Sequence, residues 1–166
     1  MERIHIRAYG EEHREDCRRL WAELTQRHRD IYDDQGIGGA DPGKYFDEHL
    51  EKIGPGRILV ALARSKVVGF VGYMPGEDEV EVEPLIVSTS YRGKGVGTML
   101  LDAVKDRLKD TGLKYLSVRL VARNKDAIEF FRKNGFDKVG RIELFIDLTC
   151  KDWEKGLKLF DMDFEY

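Results

Sequence analysis

Three glycines within five residues, Gly93, Gly95 and Gly97, stand between a stretch with the period of a strand and one with the period of a helix. Upstream, Val80 and Val82 alternate with Glu79, Glu81 and Glu83, and the run to Val87 reads as one strand. Downstream, Val96, Met99, Leu100, Val104 and Leu108 recur at helical spacing, which predicts an amphipathic helix over Gly95–Lys109. Tyr115–Ala122 returns to the strand pattern. Such a strand–helix–strand crossover implies a parallel pair of strands. The first amides of the helix are unpaired and sit at the positive end of its dipole. Glycines without Cβ let a ligand approach the backbone closely, and a phosphate or pyrophosphate is the natural guest. Arg92 and Lys94 add positive charge at the rim. On spacing alone, a plain tight turn also accounts for these glycines. Other phosphate motifs do not fit. No G-x-x-x-x-G-K-[ST] string occurs, and counting from Gly95 the sixth position is Leu100, where a dinucleotide fingerprint needs glycine or alanine.

Ahead of this unit, Ile58–Ala63 and Val67–Met74 read as strands joined by Arg64-Ser65-Lys66, a hairpin. Ile4 and Ile6 suggest a short first strand. Glu11–His28 reads as a helix with Cys17, Leu20, Trp21 and Leu24 on one face. Asp33–Pro42 is a loop, and Pro42–Ile53 a second helix stopped by Gly54-Pro55-Gly56. Behind the unit, Asn124–Asn134 is a helix with Gly135 as its stop. Val139–Leu148 reads as a strand and Asp152–Phe160 as a final helix. The expected class is α/β (α+β), a mixed sheet with an antiparallel front half. At 166 residues one domain is the prior, with a core that needs no staples.

Lys and Arg number 28 against 31 Asp and Glu, a net −3, which favours neither nucleic acid nor an anionic membrane as partner. The start, Met-Glu-Arg-Ile-His, has no apolar signal region, and the strongly apolar run Ile58–Ala63 is too short to span a bilayer. Cys17 and Cys150 form no C-x-x-C pair, so a reduced cytoplasmic protein is the simplest expectation. Cys17 sits on an apolar helix stripe and reads as core rather than nucleophile. His5, His13, His28 and His49 show no metal-ligand spacing, so no metal is assigned.

Arg92-Gly-Lys-Gly-Val-Gly97 resembles the [QR]-x-x-G-x-[GA] pyrophosphate loop of the GNAT superfamily of acyl-coenzyme A-dependent N-acyltransferases. A second stretch, Asn124-Lys-Asp-Ala-Ile-Glu-Phe-Phe-Arg-Lys-Asn-Gly-Phe136, is similar to that family's N-x-x-A-x-x-F-Y-x-x-x-G-F. The two occur in the family's order and separation. The resemblance implies a single domain over 1–166: acceptor-side helices in 1–57, an acetyl-coenzyme A-binding core in 58–148 and a tail in 149–166. It implies a sheet of six to seven strands whose parallel pair splays to hold the coenzyme. Amides of Arg92, Gly93, Lys94, Gly95, Val96, Gly97 and Thr98 would hold the pyrophosphate. The edge at Leu85, Ile86 and Val87 would pair with the pantetheine arm as an added strand. Asn124 would contact that arm, and Ala127 and Phe131 would line its wall.

The implied reaction is direct transfer of an acetyl group from acetyl-coenzyme A to a primary amine of a small molecule or peptide. An alkylamine is mostly protonated at neutral pH, and deprotonating it costs about 4 kcal/mol. A base is therefore expected, and Glu83 is the candidate, just before the bulge such proteins carry; Glu81 is the alternative. Pro84 has no N–H and fits an interrupted ladder. A solvated strand face also explains the three glutamates. The Val87 N–H would polarise the thioester carbonyl. Phe131 departs from the family's tyrosine, whose hydroxyl can protonate the leaving thiolate. Tyr73, Tyr91 and Tyr115 are possible substitutes. The departure keeps open a second reading, a non-catalytic acyl-coenzyme A-binding module. Asp30, Asp33, Asp34 and Asp41 crowd the loop and would favour a cationic amine, or simply solvate it. The resemblance also implies a homodimer.

Overall fold

The computed structural model describes residues 2–149 and 152–166. Cys150 lies outside them, and so does any pairing it makes with Cys17. Two compact units emerge, one ending at Arg119 and one over Leu120–Tyr166. The first contains β1 (Ile4–Ala8), α1 (Arg14–Tyr32), α2 (Lys44–Ile53), β2 (Ile58–Ala63), β3 (Lys66–Pro75), β4 (Glu79–Val87), α3 (Val96–Leu108) and β5 (Tyr115–Val118). Its sheet runs β1-β2-β3-β4-β5, antiparallel as far as β4 and parallel between β4 and β5.

The apolar run Ile58–Ala63 is buried at every position, as a central strand covered on both faces must be. Phe70 packs on Phe46 of α2 at 5.4 Å and stacks on Trp21 of α1 at 6.4 Å. Its neighbour Gly69 faces Leu100 of α3, whose Cδ1 would lie 3.3 Å from an added Cβ. Successive residues of a strand point to opposite faces, so α1 and α2 cover one face and α3 the other.

The ladder between β3 and β4 slips once. Val71 pairs with Leu85, but Tyr73 pairs with Val82. Gly72 alone therefore faces two residues, Glu83 and Pro84, which is a β-bulge on β4. The Glu83–Pro84 peptide is cis. A Cβ at Gly72 would lie 2.5 Å from the Glu83 carbonyl oxygen, so only glycine fits opposite this bulge.

The second unit contains α4 (Lys125–Lys133) and a ribbon of β6 (Lys155–Leu159) and β7 (Met162–Glu165). Three expectations need correction. Among the described residues the first unit's sheet has five strands, and β6 and β7 pair with each other, rather than six to seven strands in one sheet. Val139–Leu148 is not a strand; Val139, Ile146 and Leu148 are more than four-fifths exposed. An alternating pattern supplies a face but no hydrogen-bond partner. Within Asp152–Phe160 the structure has β6 rather than a helix. Leu157 and Leu159 alternate about Lys158, and Phe160 and Asp161 both take positive φ (49° and 64°), as a two-residue hairpin turn requires.

Candidate functional site

The loop between β4 and α3 forms where the glycines predict it. A single 3-10 turn over Thr89–Tyr91 leads into exposed Arg92, Gly93, Lys94 and Gly95. Gly93 and Gly95 take φ of +71° and +81°, and a Cβ on either would meet nothing within 4 Å. The backbone is thus bent into a form only glycine adopts easily, with open space beside it. Gly95 is the N-cap of α3, and no side chain among the described residues caps that helix. The amides of Val96, Gly97 and Thr98 meet the dipole's positive end without a side-chain acceptor. Gly97 differs from the other two, being buried within α3. Tyr91 lies under the loop. Its hydroxyl donates to Glu2 at 2.8 Å, which raises its pKa, and Lys94 Nζ sits 5.0 Å over its ring.

The end of β4 carries an open edge. The Ser88 N–H donates to the Val68 carbonyl at 2.9 Å, making 68 and 88 a hydrogen-bonded pair. Bonded and non-bonded pairs alternate along an antiparallel ladder, so Gly69/Val87 and Val71/Leu85 are non-bonded. The peptide groups of Leu85 and Val87 therefore point away from β3. On that side β5 pairs with β4 only from Glu79 to Val82. The Val87 carbonyl accepts from Arg92 Nε at 3.1 Å, which leaves the Val87 N–H facing the open edge. Ile86, the middle residue of the expected trio, instead pairs with Phe70 and is buried in the core. Its side chain packs; it presents no edge.

The two glutamates at the bulge differ. The Glu81 side chain is 12% exposed and Arg119 Nε holds its carboxylate at 3.3 Å. Glu83 is half-buried, and among the described residues it forms no ion pair. Its neighbour is His49 of α2, which sequence patterning left unassigned. His49 is 6% exposed, and its buried Nε2 has no hydrogen-bond partner among the described residues. Burial pushes the His49 pKa down, opposed by the charge and backbone of Glu83, so the ring is neutral at pH 7. Trp21 packs against it at 5.3 Å. The helical spacing of Phe46, His49 and Ile53 was the available signal, because it puts the histidine on the apolar face of α2.

The acidic loop is largely committed to local bonds. Asp41 pairs with Arg18 at 3.1 Å, Asp34 accepts from the Gly36 N–H, and Asp30 accepts from Gln26. Asp33 closes α1 in the left-handed conformation. Burial raises the Cys17 thiol to about 12, so it stays protonated and is no nucleophile. Tyr73 donates to the Gly56 carbonyl at 3.4 Å, and Tyr115 is 65% exposed.

In the second unit, Asn124 is the N-cap of α4 and accepts from the Ala127 N–H at 3.3 Å. Phe131 is buried between the rings of Phe130 and Phe136, each 5.1 Å away. Gly135 at φ +95° ends the helix as expected.

Comparison with known proteins places the chain in a family. Residues 11–136 match the model of the acetyltransferase (GNAT) family. A streptothricin acetyltransferase of Streptomyces lavendulae is 27% identical over 75% of this chain and 65% of its own length. The L-2,4-diaminobutyric acid acetyltransferase of Nocardia farcinica is 36% identical over 46% of this chain and 42% of its own. An uncharacterized N-acetyltransferase of Methanocaldococcus jannaschii is 26% identical over 57% of this chain and 45% of its own. The chain thus spans about half the length of the curated relatives it matches. Among solved structures, a GNAT acetyltransferase of Staphylococcus aureus superposes with a TM-score of 0.69 at 17% identity, covering 84% of this chain and 87% of that one. An aminoglycoside N-acetyltransferase in complex with coenzyme A superposes at 0.64 and 19% identity, covering 88% and 95%. No helix among the described residues is long and apolar enough to cross a membrane. By its matched family model and its fold, this chain belongs to the acetyltransferase (GNAT) family.

Proposed function

We propose that this protein transfers an acetyl group from acetyl-coenzyme A directly to a primary amine, with the open end of β4 as the reaction site. The observation that carries the reading is the bulge at Glu83–Pro84, which ends two-sided pairing and frees the Leu85 and Val87 peptide groups beside a glycine-lined helix N-terminus. The loop amides from Gly93 to Thr98 hold the pyrophosphate, whereas the Arg92 N–H, expected among them, is given to the Thr89 carbonyl within the turn. The β4 edge pairs with the amide-bearing arm of the coenzyme, which directs the thioester toward the Val87 N–H. That N–H donates to the carbonyl oxygen as charge builds on it. Glu83, without a cationic partner among the described residues, takes the amine's proton, whereas Glu81 is engaged by Arg119. The amine nitrogen bonds to the acetyl carbon, the carbon–sulfur bond breaks, and the coenzyme leaves as thiolate. A coenzyme thiol is a fair leaving group near neutral pH, so the missing hydroxyl at Phe131 need not abolish turnover.

The acceptor is an amine, as the named acceptors of the two relatives suggest for this chain too. Asp41 is offset by Arg18, whereas the Gly36 N–H and the Gln26 amide that bind Asp34 and Asp30 carry no charge and leave those carboxylates to attract a cationic amine. Thiol release from acetyl-coenzyme A tests the reading, with polyamines, aminoglycosides, amino acids and peptides as acceptors. Amine-dependent release is expected. Tight coenzyme binding with no release for any amine contradicts it and favours a binding module.

A further inference from the structure

We propose that Glu23 of α1 is a positioning residue for coenzyme binding: it fixes the turn that aims the glycine-loop amides. The proposal rests on the reading of that loop as the pyrophosphate site. One carboxylate reaches two consecutive residues far along the chain. Glu23 Oε1 accepts from the Ser88 hydroxyl at 3.3 Å, and Oε2 accepts from the Thr89 N–H at 3.2 Å. Ser88 and Thr89 are where β4 ends and the loop begins. The Ser88 carbonyl accepts from the Tyr91 N–H at 2.8 Å, and the Thr89 carbonyl from the Arg92 N–H at 3.4 Å. Those two bonds build the turn that delivers Arg92 to the Val87 carbonyl and Gly95 to the start of α3. Fixing Ser88 and Thr89 therefore fixes the direction of every amide that follows.

A bare carboxylate beside an anion site would repel the ligand. Here Arg19 partly offsets it, with Nη1 on Glu23 Oε1 at 2.7 Å, while sharing its charge with Asp16. Arg19 is itself anchored to the sheet. Its Nη2 donates to the Val67 carbonyl at 2.9 Å and pairs with Asp16 at 3.2 Å, and Asp16 accepts from the Val67 N–H at 2.8 Å. Asp16, Arg19 and Glu23 lie at i, i+3 and i+7, one face of α1. This face holds both the start of β3 and the end of β4, strands that close on each other at Gly69↔Val87. The glycine loop is thus referenced to a helix on the opposite face from α3.

The test is coenzyme A binding by calorimetry without amine, followed by steady-state kinetics, for wild type, Glu23→Ala, Glu23→Gln and Ser88→Ala. Glu23→Ala is expected to weaken coenzyme binding and raise the KM for acetyl-coenzyme A about tenfold, the loss of charge-assisted hydrogen bonds. The kcat at saturating coenzyme and the KM for amine stay within about twofold, a split that general destabilisation does not produce. Glu23→Gln, which keeps one acceptor and the shape, recovers part of the loss. Ser88→Ala gives a smaller loss in the same parameter, and the double variant is no worse than Glu23→Ala alone, as one shared interaction requires. Should Glu23→Ala fail to fold, Ser88→Ala carries the test. A folded Glu23→Ala that binds coenzyme as wild type does overturns the proposal and leaves the pyrophosphate reading intact. A wild-type protein that binds no coenzyme overturns both.

Discussion

The two halves of β4 have the same backbone and opposite chemistry. From Glu79 to Val82 the strand is paired on both edges, with β3 on one side and β5 on the other. Glu83 and Pro84 form the bulge, and from Leu85 to Val87 the strand is paired with β3 alone. In the first half the carboxylate of Glu81 is tied to Arg119; in the second, Glu83 has no ion-pair partner among the described residues. One extra residue, inserted opposite Gly72, divides the halves. The comparison teaches how a sheet becomes a site: the fold does not add groups, it stops satisfying the ones already present.

The largest expected effect comes from removing the feature that permits the division. Gly72→Ala places a methyl 2.5 Å from the Glu83 carbonyl oxygen and 2.9 Å from His49 Nε2. Backbone has to move, so stability should fall by about 3 kcal/mol, read by denaturant unfolding. A Gly72→Ala protein as stable as wild type would mean the bulge adjusts freely. A smaller effect is expected at the loop. Gly95→Ala meets no atom within 4 Å but must hold φ near +81°. Strain of about 1–2 kcal/mol should appear as weaker coenzyme binding, roughly tenfold, with the fold retained. Unchanged binding would detach the loop from the coenzyme.

The smallest effect concerns pH. Burial lowers the pKa of His28 and of His49, so each binds protons more readily unfolded than folded. Stability is therefore intact above the unfolded value near 6.5 and falls as pH drops below it, down toward the folded values. His49→Gln should shrink that acid loss, measured by thermal unfolding between pH 7 and pH 5. An identical slope in the variant would place the acid sensitivity elsewhere.

Much of the first unit was legible in the sequence because its signals are local. The unbroken apolar run Ile58–Ala63 matches β2 at both ends, and the alternation of Glu79–Val87 matches β4. Gly93 and Gly95 stand in the loop that their spacing suggested, and both take positive φ. The contacts that shape the site were hidden because they join distant residues. Glu23 meets Ser88 across 65 positions, and His49 meets the bulge through Gly72 and Glu83. No periodicity reports such a meeting. In the second unit the apolar alternation of Val139–Leu148 promised a strand, but pairing partners are not written in a pattern. The tail failed for another reason: Leu157 and Leu159, two apart, carry a strand period, and the Phe160-Asp161 turn closes them into a hairpin.

The contrast between the two glutamates is the most direct test of the account. Amine-dependent thiol release should be followed across pH for wild type, Glu83→Gln and Glu81→Gln. Glu83→Gln is expected to lower kcat/KM for the amine by about 100-fold or more, and Glu81→Gln to stay within a few-fold. Full turnover by Glu83→Gln at every pH, or the larger loss in Glu81→Gln, would contradict it.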